Sequence, residues 1–133
     1  VRFKCRGLYG ERTEGFALVS RKPISFLGDV DSSTGVVIDE NSDILGEKIT
    51  GKILVFPFTR GSTVGPYVLL RLKKRGTAPL AIVNEKGDPI VVAGAVIAEI
   101  PFVDRVEEEF FKIVKSGVRL IVDPKLGFVE LVE

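Results

Sequence analysis

Histidine, tryptophan and methionine are absent from this 133-residue chain, and there is a single cysteine. Without an imidazole, no Ser–His–Asp triad can be assembled and no phosphohistidine can form. One thiol closes no internal disulfide, and alone it holds neither a zinc ion nor an iron–sulfur cluster. An excess of either charge is missing too: 19 Lys and Arg stand against 18 Asp and Glu, a net charge of +1. Binding to nucleic acid or to a membrane surface needs a basic surplus on one face, so neither partner is expected. No apolar run nears the ~20 residues that cross a bilayer, and no charged leader precedes an apolar stretch. A cytoplasmic location is the resulting expectation. Whatever chemistry the chain performs must use Ser, Thr, Arg, Lys, Asp or Glu, or groups on another chain.

What is present reads as a globular α/β domain. Hydrophobic residues make up 45% and charged ones 28%, enough for a core without staples, and residues 1–133 read as a single domain. Short β-branched runs are punctuated by Gly and Pro. Residues 1–7 and 14–20 read as two strands around segment 8–12, and Val36-Val37-Ile38 as a short strand. Residues 53–58 are apolar at nearly every position, the pattern of a strand buried on both faces. Helical spacing of Val64, Tyr67, Val68 and Leu72 predicts a helix over 62–74, with Pro66 tolerated in its first turn. Residues 78–83 predict another buried strand. Asp88-Pro89 reads as an N-cap followed by Pro at the first helical position, opening a closely packed helix over 90–100. A short amphipathic helix over 106–115 starts with the solvated run Glu107-Glu108-Glu109 and ends at Gly117. Residues 118–122 and 128–132 predict a terminal hairpin. The sum is a barrel-type mixed β-sheet with two or three packed helices.

One place combines an oxygen, a cation and exposed backbone N–H groups: Arg60-Gly61-Ser62-Thr63, between the strand ending at Phe58 and the following helix. The ordinary role of a Ser at a helix start is an N-cap. Three neighbours favour more. Gly61 lets the backbone approach a ligand closely. The helix start offers N–H donors and a positive dipole end suited to an anion. Arg60 adds a cation with the geometry for a carboxylate or phosphate. A Ser hydroxyl is a poor base, but those groups favour its alkoxide and would equip it to remove a proton α to a carboxylate.

Other polar clusters carry less. In the loop Gly28 to Gly35, the spacing of Asp29, Asp31 and Glu40 matches part of an EF-hand, but Thr34 stands where that loop needs Gly and strands flank it. The loop reads either as a solvated turn or as the lining of a cleft near Ser62. The run Arg71-Leu72-Lys73-Lys74-Arg75 complements the negative pole of its helix. Cys5 reads as a small core residue.

At Arg60-Gly61-Ser62-Thr63 the chain resembles the swivel domain of the aconitase superfamily, which carries a Gly-Ser-Ser-type turn; here the second hydroxyl is that of Thr63. The resemblance extends over Pro23-Ile24-Ser25-Phe26, Gly28 to Gly35, Gly46, Gly51-Lys52-Ile53-Leu54-Val55, Ala78-Pro79-Leu80-Ala81-Ile82-Val83 and Gly94-Ala95-Val96-Ile97-Ala98. In that order they are similar to the aconitase X branch, and within it to the separate small subunits of archaeal phosphomevalonate dehydratases.

This resemblance implies an aconitase swivel-like fold and a heteromer. A large aconitase X-type subunit would carry a [4Fe–4S]-type cluster, whose iron acts as Lewis acid on the departing hydroxyl. This chain would bind no metal and contribute Ser62 as the catalytic base. Arg60, or the amides of Gly61 and Thr63, would hold the anionic groups of a phosphorylated hydroxy acid. The implied reaction dehydrates (R)-5-phosphomevalonate to trans-anhydromevalonate 5-phosphate, in a modified mevalonate route to isoprenoids. Two alternatives remain: an aconitase X dehydratase for another hydroxy acid such as hydroxyproline, and a noncatalytic binding or assembly module in which Ser62 is only a cap.

Overall fold

The computed structural model describes residues 1–61 and 65–132. Its centre is a set of parallel strands: β3 (Thr13–Val19), β4 (Ile53–Phe56), β5 (Ala81–Asn84) and β6 (Phe102–Asp104). They lie side by side in that order. Side chains alternate between the faces of a strand, so each contributes to two cores. Leu18, Leu54, Phe56, Ile82 and Phe102 fall in one cluster, while Ala17, Val19, Ile53, Val55, Ala81, Val83 and Val103 fall in the other. This is why residues 53–56 are apolar at every position: all four are buried.

The first strand closes the sheet. β1 (Arg2–Lys4) pairs with β8 (Phe128–Val132), and β2 (Arg6–Tyr9) pairs with β6, both antiparallel. Only Cys5 separates β1 from β2, yet they lie at opposite ends of the eight-stranded order β1-β8-β7-β3-β4-β5-β6-β2. The sheet therefore curls back on itself, as the barrel-type reading expects. β7 (Arg119–Asp123) joins β8 in the anticipated hairpin and pairs with β3 on its other side. The inner cluster gathers Phe3, Leu120, Val122 and Val129 from this half, with Phe110 and Val114 from the region of α4 (Glu108–Ile113).

The outer cluster lies under α2 (Gly65–Lys74) and α3 (Pro89–Ile97), with the one-turn α1 (Phe26–Asp29) beside them. Asp88 caps α3 as expected: its carboxylate accepts the N–H groups of Ile90 at 2.8 Å and Val91 at 3.4 Å. The two longer helices touch backbone to backbone. A Cβ on Gly94 would lie 2.6 Å from the Cα of Pro66.

Several local expectations are corrected. The strand expected over 1–7 is divided at Cys5 into β1 and β2, because the two pair with different strands far along the chain. Val36 and Val37 make isolated bridges to Lys48 and Val30 rather than a strand with Ile38. Within α2 the buried stripe is Val68, Leu69 and Leu72, whereas Tyr67 is 70% exposed. The strand expected over 78–83 begins at Ala81 and ends on Asn84. The three-residue β6 was not anticipated, since a run this short shows no clear period. α4 stops at Ile113 because Val114 is already extended, ahead of Gly117.

Candidate active site

Four parallel strands end at one edge of the sheet, and in open α/β sheets that carboxyl edge is where ligands bind. The segments leaving β3, β4 and β5 are stitched together there by backbone hydrogen bonds. Ser20 N–H donates to Val55 O at 2.8 Å, and Ile24 N–H to Phe58 O at 3.3 Å. Arg60 N–H donates to Ile24 O at 3.0 Å, and Glu85 N–H to Pro57 O at 2.9 Å. Arg60, the first residue of the turn singled out in the sequence, thus sits at the sheet's carboxyl edge, tied to the segment that enters α1.

Of the four candidate residues, Ser62 and Thr63 lie outside the described residues, as does any cap that Ser62 makes. Arg60 and Gly61 are described and both are exposed. An added Cβ on Gly61 would meet nothing within 4 Å among the described residues, and its backbone is outside the left-handed region. Packing among the described residues does not require a glycine there. Gly61→Ala is therefore expected to change stability by less than about 0.5 kcal/mol in denaturant unfolding. If a ligand approaches the backbone at this turn, the same variant loses about tenfold or more of the catalytic rate in the assembled enzyme. Unchanged turnover would show that no group comes close to residue 61.

Arg60 is not a free cation. Its Nη2 donates to Asp29 Oδ2 at 2.5 Å and lies 3.8 Å from Asp39 Oδ2. Asp29 is 6% exposed and also accepts the Ser25 N–H at 2.8 Å on the same oxygen. Of the two readings of the Gly28 to Gly35 loop, the solvated turn is thereby corrected at Asp29. A buried carboxylate needs a charge partner and hydrogen bonds, and the nearby Arg60 and Ser25 supply them. Asp31 keeps the ordinary turn role, accepting Ser33 N–H at 2.8 Å.

Other residues at this edge were missed in the sequence. Phe58, Thr59, Lys86, Gly87, Asp88 and Pro89 line a cavity of about 340 Å³ beside the turn. Asn84, fully buried, ends β5 and donates from Nδ2 to Phe56 O at 3.0 Å. The Oδ1 of Asn84 and the hydroxyl of Thr59 are buried with no partner among the described residues. The available signal was the single amide closing the apolar run Ala81-Ile82-Val83. Asp104, with no side-chain exposure, ties this edge to the barrel seam. It accepts both Nε and Nη2 of Arg6, at 2.8 and 2.7 Å, and the Gly87 N–H at 2.8 Å.

An iron–sulfur cluster does not fit this chain. Among the described residues no three His, Cys, Asp or Glu side chains gather as a metal set. Cys5 is half-buried, and burial, aided by the negative charges of Asp104 and Asp123, pushes its thiol up to about 11. Such a thiol resists the thiolate state that a metal requires. No described helix is long and apolar enough to cross a membrane.

The architecture is a curled mixed sheet with a parallel centre, α2 and α3 on its outer face, α4 against the inner cluster, and Arg60 at the carboxyl edge. The model of the aconitase X swivel domain matches residues 2–131, and the chain belongs to that family. It is 50% identical to the phosphomevalonate dehydratase small subunit of Archaeoglobus fulgidus, over all of both chains. Its fold is similar to a crystal structure of Thermococcus kodakaraensis aconitase X in the holo form, with a TM-score of 0.95 and 48% identity. That match covers 100% of this chain and 99% of the other. A UPF0107 protein solved by solution NMR matches with a TM-score of 0.93 and 50% identity, covering all of both chains.

Proposed function

We propose that this chain is the small subunit of a phosphomevalonate dehydratase. The observation that carries the reading is the 50% identity to such a subunit across the whole of both chains. The substrate is (R)-5-phosphomevalonate and the product trans-anhydromevalonate 5-phosphate. Ser62 takes the proton from the carbon beside the carboxylate. The C–H electron pair becomes the new double bond as the hydroxyl on the adjacent carbon departs with its bonding pair, and that hydroxide together with the proton taken by Ser62 makes up the water lost. Arg60 and the amides of Gly61 and Thr63 hold the anionic groups of the substrate, which keeps the acidic C–H aimed at the serine.

A base without an acid for the leaving hydroxyl is half of a dehydratase, and no metal set gathers among this chain's described residues. The missing half belongs to a large subunit, which also carries the iron–sulfur cluster of the aconitase type. Arg60 and Gly61 are exposed, and no described residue lies within 4 Å of a Cβ added to Gly61, which suits a site completed by another chain. The test is reconstitution with the large subunit of the same genome. Dehydration of 5-phosphomevalonate is expected from the mixture and from neither chain alone. Activity with a non-phosphorylated hydroxy acid, and none with 5-phosphomevalonate, would assign the chain to another aconitase X reaction.

A further inference from the structure

We propose that Asp29 is a positioning residue for this site, holding the Arg60 guanidinium in the orientation that meets the substrate's anionic group. This rests on the reading of Arg60 as a substrate-binding residue. The geometry is a two-point grip. The backbone of Arg60 is tied to Ile24 O at 3.0 Å, and its Nη2 to Asp29 Oδ2 at 2.5 Å. Both anchors belong to one short segment, which is itself closed by Ser25 N–H on Asp29 Oδ2 at 2.8 Å and Asp29 N–H on Ser25 O at 2.9 Å. The Asp29 side chain is 9% exposed and that of Arg60 is 50% exposed. One side of the guanidinium is therefore held by a buried carboxylate while the rest faces solvent at the turn.

The charges decide how such an arginine works. Asp29 and Asp39 both lie against Nη2, so the local field is not a strong positive one. Arg60 acts through aimed N–H donors, of which a guanidinium has five in a rigid plane. Aim depends on a fixed side chain, and a long side chain left loose must give up rotamer freedom each time it captures a ligand. Holding the fork in advance removes part of that loss, which appears in substrate affinity more than in the chemical step.

The test is a double-mutant cycle on the reconstituted enzyme with 5-phosphomevalonate as substrate. Asp29→Ala is expected to raise KM about tenfold while kcat changes less than about threefold. In an Arg60→Ala background the same change is expected to add less than about twofold, because the residue it acts through is gone. Asp29→Asn keeps an acceptor for Ser25 N–H and serves in the cycle if the alanine variant does not fold; the same loss of effect in the Arg60→Ala background is expected. A KM increase that multiplies fully with that of Arg60→Ala would overturn the positioning role and leave Arg60 as a binding residue. A normal KM for Arg60→Ala itself would remove the binding role and the proposal together. An unchanged KM in both Asp29 variants would overturn the proposal alone.

Discussion

Replacing Ser62 with Ala is expected to lower turnover of the assembled dehydratase by about 1,000-fold, within the range that a positioned general base supplies. The reason is partly one of elimination. The chain contains no histidine, and two acidic side chains beside Arg60, Asp29 and Asp39, are already engaged with it. A serine oxygen becomes basic enough only where its anion is stabilised, and Arg60 with the backbone amides at the start of α2 are the groups to do so. The variant should still co-elute with its partner and bind substrate, because alanine removes one oxygen and no apolar contact. Exchange of the substrate's α-proton with deuterated solvent should vanish along with turnover. Near-normal turnover in the intact heteromer would reduce Ser62 to a helix cap and leave the chain an assembly module.

The second large effect is on the scaffold that sets the turn. Gly94 of α3 packs on Pro66 in the first turn of α2, and a Cβ there would lie 2.6 Å from Pro66 Cα and 2.7 Å from its Cβ. Contacts this short are relieved only by moving the helices apart. Gly94→Val is expected to destabilise the chain by about 2–3 kcal/mol, the cost of an overpacked backbone contact. It should also cut turnover at temperatures where the chain stays folded, since the displaced end of α2 begins three positions after Ser62 in the sequence. Denaturant unfolding alongside heteromer kinetics separates the two effects. Wild-type stability would mean that α2 and α3 part without resistance, and that the start of α2 is not held by this contact.

The comparison of sequence with structure turns on range. Asp88-Pro89 opens a helix because a carboxylate caps amides two and three residues on, and that interaction needs no other part of the fold. The terminal hairpin is local in the same sense: Asp123 turns the chain by accepting Leu126 N–H at 2.9 Å. Residues 53–56 declare a two-sided burial by being apolar throughout. Asp29 shows the opposite case. In a loop of Gly, Ser, Thr and Asp it has the composition of a solvated turn, and its partner Arg60 lies 31 positions away. Only the path of the chain, with Ile24 bridged to Thr59, brings the two together.

The sequence by itself determined what chemistry this protein could not perform alone, and it singled out one turn as the candidate for reactivity. Residue types and their local spacing decide those matters: no imidazole, one thiol, and a Ser between an apolar strand and a helix. The tertiary structure decided how the sheet closes, with β1 and β2 split between β8 and β6. It also decided that the arginine of the turn is gripped by a buried aspartate. Both depend on residues far apart in sequence sharing a small volume, and no local periodicity or cap encodes that juxtaposition.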